Sequence, residues 1–130
     1  MIGIDTNILT RFFVQDDPQQ SARVDSFLHK LTPNNPGFIS SVVLVELAWV
    51  LRGRYGVSRS DLIEYFKQLL ESPELFIENE AALTQTIIRF ASPGTDFADC
   101  FIERIASFAG CSHTVSFDAR ATKAPGMSLL

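Results

Sequence analysis

Short apolar runs recur along this chain at intervals too long for hairpins: Met1–Asp5, Gly37–Ser40, Leu75–Glu78 and Thr114–Phe117. Each has the length and composition of a strand. Helical signals fill the segments between them, and parallel strands need crossovers of about a dozen residues or more. The alternation predicts an α/β domain whose central, mostly parallel sheet is covered on both faces. Met1–Asp5 and Thr114–Phe117 are expected as buried strands closing on carboxylates, and Met127–Leu130 as a short edge strand. A length of 130 residues suits one domain, 1–130, and a hydrophobic fraction of 46% suffices for one core.

Helix boundaries follow from local chemistry. Thr6–Val14 reads as a first helix, and Asp17-Pro18 opens a second that runs to about Leu31. Thr32-Pro33-Asn34-Asn35-Pro36-Gly37 is the strongest loop signal in the chain. A helix follows from Ser41 to about Arg54. Ser58 with Asp61 resembles a capping box before the apolar stripe Leu62, Phe66, Leu69 and Leu70. Further helices are expected at Ala81–Phe90 and Phe97–Ala109, the last closed by Gly110.

Carboxylates in apolar settings are the candidate chemistry. Asp5 and Asp118 close predicted strands, where open α/β sheets bind ligands, although an Asp there also caps the following helix. Glu46 is the lone polar residue of VVLVELAWVL, Val42–Leu51. A helix apolar all round is buried, so Glu46 needs a counter-ion: a bound cation, or Arg11 or Arg120. Asp96, Asp99 and Glu103 fall at i, i+3 and i+7. Asp96 and Asp99 also suit a capping pair, and Glu103, beside Arg104, suits a solvated surface. Separated carboxylates brought together repel one another unless a cation intervenes. An all-oxygen set fits Mg²⁺ or Mn²⁺ rather than zinc, and such ions support phosphodiester hydrolysis.

Other chemistries lack their residues. No Gly-rich phosphate loop, GxSxG or CxxC occurs. His29 and His113 have no metal spacing, and Cys100 and Cys111 form no disulfide framework. A formal net charge of −4 excludes a broadly basic surface for nucleic acid. Without Asp5, Glu46, Asp99 and Asp118, acids and bases are equal in number, so the excess charge has the size of one such site. Arg52, Arg54 and Arg59 around Tyr55 are a local RNA-binding candidate, with helix-end cations as the plainer reading. Asp61–Glu80, with six acids and only Lys67 in opposition, reads as a solvated face. No apolar stretch approaches a membrane span, and Asp5 interrupts any signal region, so the expected location is cytoplasmic.

IDTNIL, VVLVELAWVL, DFADCFI and TVSFDARA, in this order and spacing, resemble the PIN-domain family. The chain looks most like the ribonuclease toxins of VapC type. The resemblance covers essentially the whole chain and implies a three-layer α/β/α fold and Mg²⁺- or Mn²⁺-dependent RNA cleavage. Carried over by position, Asp5, Glu46, Asp99 and Asp118 match the acidic catalytic and metal-binding set. Thr6, Asn7 and Ser116 match small polar positions that order it, with Asp96 beside Asp99 as a further candidate. Glu103 stands where relatives have a small residue, so it would either join the cluster or crowd it. The implied partners are RNA, a cognate antitoxin protein and a second copy in a homodimer. A PIN-like module that binds RNA or protein without cutting is the alternative. An aspartyl-phosphate hydrolase built on Asp5 is disfavoured because Asn7 stands where a second Asp is needed.

Overall fold

Side-chain caps set where most helices begin. In the computed structural model, which describes residues Met1–Leu130, the Asp5 carboxylate caps helix α1, Thr6–Phe13. Asp17 accepts from the Gln20 amide at 3.1 Å and, with Pro18 in the first turn, opens α2, Pro18–Leu28. Ser40 accepts from Val43 to start α3, Ser41–Gly53, and Ser58 accepts from Asp61 to start α4, Arg59–Leu70. Helix α5, Glu80–Phe90, instead follows Asn79 in the left-handed region at φ 56°, a conformation asparagine tolerates. Asp96 accepts from the Asp99 amide at 3.1 Å and caps α6, Phe97–Phe108. The expected helices are all present, with ends that coincide or shift by up to three residues.

The chain divides into two compact units, Met1–Glu78 and Asn79–Leu130. In the first, β1 (Ile2–Gly3), β2 (Gly37–Ile39) and β3 (Leu75–Ile77) form a parallel sheet in the order β1-β2-β3. Its core includes Leu9, Ile39, Leu44, Leu51, Leu62 and Phe66, all essentially without solvent contact. Gly37 sits on the central strand against Ile4 and Leu31, and a methyl group there would overlap the Ile4 side chain. In the second unit, β4 (Thr114–Ser116) pairs in parallel with β5 (Met127–Leu129). Their connection turns through a short 3-10 helix at Ala121–Lys123. Leu83, Thr86, Phe90, Phe97, Cys100 and Phe101 fill this unit between α5 and α6, and the Phe90 and Phe97 rings meet edge-on at 5.9 Å. Six helices and exclusively parallel named strands make a mixed α/β architecture, consistent with the expected α/β/α class. No helix is long and apolar enough to cross a membrane.

Two burial expectations are overturned. β1 and β4 are not buried: Ile2 is 42% exposed and Val115 52%, and beyond β4 Phe117 reaches 83%. β1 is an edge strand, and β4 pairs only with β5, so only Ile4, just past β1, turns fully into the core. Helix α3 is likewise not buried all round. Leu44, Leu47, Ala48 and Leu51 form its inward stripe at i, i+3, i+4 and i+7, while Val42, Glu46 and Trp49 face solvent. Glu46 therefore does not carry the desolvation cost that its apolar neighbours imply.

Replacing Gly37 with Ala forces Ile4 or Leu31 off its packing position and is expected to cost about 1–3 kcal/mol. Urea denaturation checks this, with a lowered midpoint at unchanged slope as the expected result.

Candidate active site

Each unit brings together one pair of the expected carboxylates. In the first, Asp5 ends the β1 segment with extended backbone, and its Oδ1 accepts the Thr6 amide at 2.8 Å. The buried Thr6 hydroxyl donates a hydrogen bond to Glu46 Oε1 on α3. One residue thus links both carboxylates, through its amide and its hydroxyl. Each acid keeps its second oxygen outside these bonds. Glu46 forms no ion pair, so the expected counter-ion role of Arg11 or Arg120 is not seen. Arg11 instead pairs with Asp16 and donates to the Tyr55 hydroxyl at 2.7 Å.

In the second unit, the Asp118 amide donates to Ser116 Oγ at 3.0 Å, and Asp118 Oδ1 accepts the Arg120 amide at 2.9 Å. Ser116 thereby shapes the turn that carries Asp118. Asp99 lies half-buried on the first turn of α6. Burial pushes its carboxyl above the usual range, and the charges of Asp96 and Asp118 push it further, against an opposing pull from Arg120. Asp96 is the helix cap, the plainer of its two expected roles. Neither Asp99 nor Asp118 has a side-chain ion pair.

Glu103 is neither solvated nor a member of this set. It is buried, its carboxylate bridges Arg89 at 2.9 Å and Arg104 at 2.6 Å, and Arg104 binds the other oxygen as well at 2.7 Å. The Arg104 hydrogen bonds, with the charges of Arg104 and Arg89, hold its carboxyl below the ordinary value of 4.5 against the opposing effect of burial. Arg89 also donates to the Pro125 carbonyl at 2.8 Å, and a methyl group at Gly126 would strike the Glu103 carboxylate. Glu103 thus joins α6 to α5 and to the turn before β5. Its neighbours in sequence gave one partner, Arg104, but Arg89 is brought in only by the packing of α5 on α6.

The basic cluster is also partly structural. Arg52 donates to the Val57 carbonyl at 3.1 Å, Tyr55 receives Arg11 on its hydroxyl, and the Arg11 guanidinium lies 6.0 Å from the Tyr55 ring centroid. Arg54 is exposed at the end of α3, and Arg59 opens α4. Asn7 is exposed on α1 and lines a cleft against α2.

Within neither unit do three or more His, Cys, Asp or Glu side chains gather closely enough to hold a metal ion on their own. The donor chemistry nevertheless fits a hard cation. All donors are carboxylate oxygens, and the like-charge burden on Asp99 is what a divalent ion relieves.

The family described as PIN domain matches residues 2–127, which spans both units. The chain belongs to the PIN-domain family. A comparison with curated proteins gave no match. PIN domains are generally nucleases and typically use divalent metals, so this one has a nuclease-type fold suited to hydrolysing nucleic acid.

Two substitutions in this PIN domain separate charge strain from structural pairing. Asp99 has a raised folded-state pKa, so its ionised form weakens folding above that value, and Asp99→Asn is expected to raise the melting temperature at neutral pH. Glu103 has the opposite sign. Its contribution is complete above the unfolded value near 4.5 and is lost as pH falls through the lower folded value. Glu103→Gln is expected to cost about 1–3 kcal/mol at pH 7, and to flatten the acid limb of stability against pH measured by calorimetry.

Proposed function

We propose that this PIN domain is a Mg²⁺- or Mn²⁺-dependent endoribonuclease and the toxin member of a toxin–antitoxin pair. The reading rests above all on the carboxylate pairs: Asp5 with Glu46 through Thr6, and Asp99 with Asp118 under mutual repulsion. In this reading Asp5, Glu46, Asp99 and Asp118 hold the cation. When bound, the ion supplies Lewis-acid activation and offsets charge on the phosphodiester. Thr6 fixes the two first-unit carboxylates before substrate arrives, which lowers the cost of reorganisation during reaction. Ser116 holds the turn bearing Asp118. Hydrolysis joins a water oxygen to phosphorus and breaks the bond to the leaving ribose oxygen. The same reading includes a homodimer in the cytoplasm, silenced by an antitoxin protein.

Purified protein incubated with structured RNAs and Mg²⁺ is expected to release discrete fragments. Asp5→Asn is expected to lower that rate by at least about a hundredfold. Cleavage that persists at the wild-type rate after the substitution overturns the assignment.

A second reading, a PIN module that binds without cutting, is favoured by the absence of a three-carboxylate cluster within either unit. Calorimetric titration with Mg²⁺ and Mn²⁺ separates the two. Heat of binding lost in Asp99→Asn supports the nuclease, and no binding at millimolar ion supports the silent module.

A further inference from the structure

Helices α1 and α2 enclose a cleft of about 360 Å³, within the size range of small-ligand sites. Its walls come from outward stripes of both helices. Asn7, Ile8 and Arg11 lie on α1, and Gln20, Arg23 and Phe27 repeat at i, i+3 and i+7 on α2. The lining holds two guanidinium groups, two side-chain amides and apolar surface, and no carboxylate. That is the donor set for a nucleotide: cations for phosphate, amides for base edges, and an aromatic ring for a base face.

The cations in and beside the cleft differ in their commitments. Arg11 is engaged by Asp16 and Tyr55. Arg23 is exposed and makes no ion pair or hydrogen bond with the protein, so its guanidinium is available to a ligand. Arg23 also borders a second, shallower hollow that ends at Lys30, seven residues on and likewise unpaired. The cleft is continuous in sequence and helix with the candidate active site, because Asn7 is two residues past Asp5, the cap of α1. With Arg11 paired to Asp16, Arg23 is the uncompensated charge of this lining and its local attraction for a polyanion in a chain of net charge −4.

We infer that the α1–α2 cleft is the subsite for an RNA nucleotide farther along the strand than the two joined by the cleaved phosphodiester, with Arg23 as its phosphate contact and Phe27 as its base contact. The inference rests on the ribonuclease reading and names where the strand lies beyond the reacting phosphate. A protein segment is the other possible occupant. Single-stranded RNA is favoured because the lining carries positive charge and paired donor–acceptor amides.

The test is fluorescence anisotropy with a labelled single-stranded RNA of about ten nucleotides, in EDTA so that binding is read without cleavage. Arg23→Gln is expected to weaken binding about three- to tenfold at low salt and to reduce the slope of log affinity against log salt by about 0.7. Arg23→Lys is expected to restore most of the loss, and Lys67→Gln, on the surface of α4, to change nothing. With Mg²⁺ present, Arg23→Gln is expected to slow cleavage of the long RNA and leave a dinucleotide substrate unaffected.

Equal effects of Arg23→Gln and Lys67→Gln on RNA binding overturn the subsite. So does an equal loss on the dinucleotide. Unchanged RNA binding with loss of a co-purifying protein partner assigns the cleft to protein instead. Failure of the folded wild type to bind or cut any RNA overturns the ribonuclease reading itself, a result distinct from failure of the Arg23 comparison.

Discussion

Parallel strand pairing is the constraint on which the rest of this structure depends. It places the carboxyl ends of paired strands at one edge of their sheet and requires long connections between them. In the first unit, that edge receives Asp5 after β1, Ser40 after β2 and Glu78 after β3. Asp5 caps α1, Ser40 caps α3, and Glu78 accepts the Ser41 amide at 2.9 Å. Polar side chains past the strands thus satisfy the open amides of helix starts. In the second unit, the β4 end leads to the Ser116–Asp118 turn by the same logic.

Capping and chemistry share groups at these ends. Asp5 spends one oxygen on Thr6 and retains the other, so its cap role does not consume it. Asp99 differs, because its backbone amide is satisfied by Asp96 while its own carboxyl is left among like charges. That arrangement costs folding energy and is the sort of charge strain that functional sites carry. Glu103, four residues on, has the inverse character. Two arginines hold its carboxylate, and Gly126 approaches so closely that a side chain there would overlap it.

Much of the fold was legible because its signals are local. Proline and glycine marked the Thr32–Gly37 loop, and Asp17, Ser58 and Asp96 stood at helix starts as expected of caps, whereas Ser40, read as a strand end, also caps α3. Burial was less legible. An apolar residue has the same composition on an edge strand as on a central one, so Ile2 and Val115 gave no warning of their exposure. For α3, ten nearly uniform residues concealed a one-sided stripe, because periodicity is unreadable when both faces are apolar. Arg23 drew no attention in the sequence, since a lone cation acquires meaning only beside the cleft that α1 and α2 form.

The sequence by itself determined the alternation of strands and helices, the acidic residue types and their order along the chain. Those properties depend on neighbours within a few residues, or on spacing that admits only parallel crossovers. Tertiary structure alone decided which oxygens were engaged and which side chains faced solvent. Thr6 meets Glu46 across 40 positions, Arg89 meets Glu103 across 14, and Arg11 meets Tyr55 across 44. Hydrogen bonds of that range are set by how helices pack, and packing depends on the shape of every side chain between them.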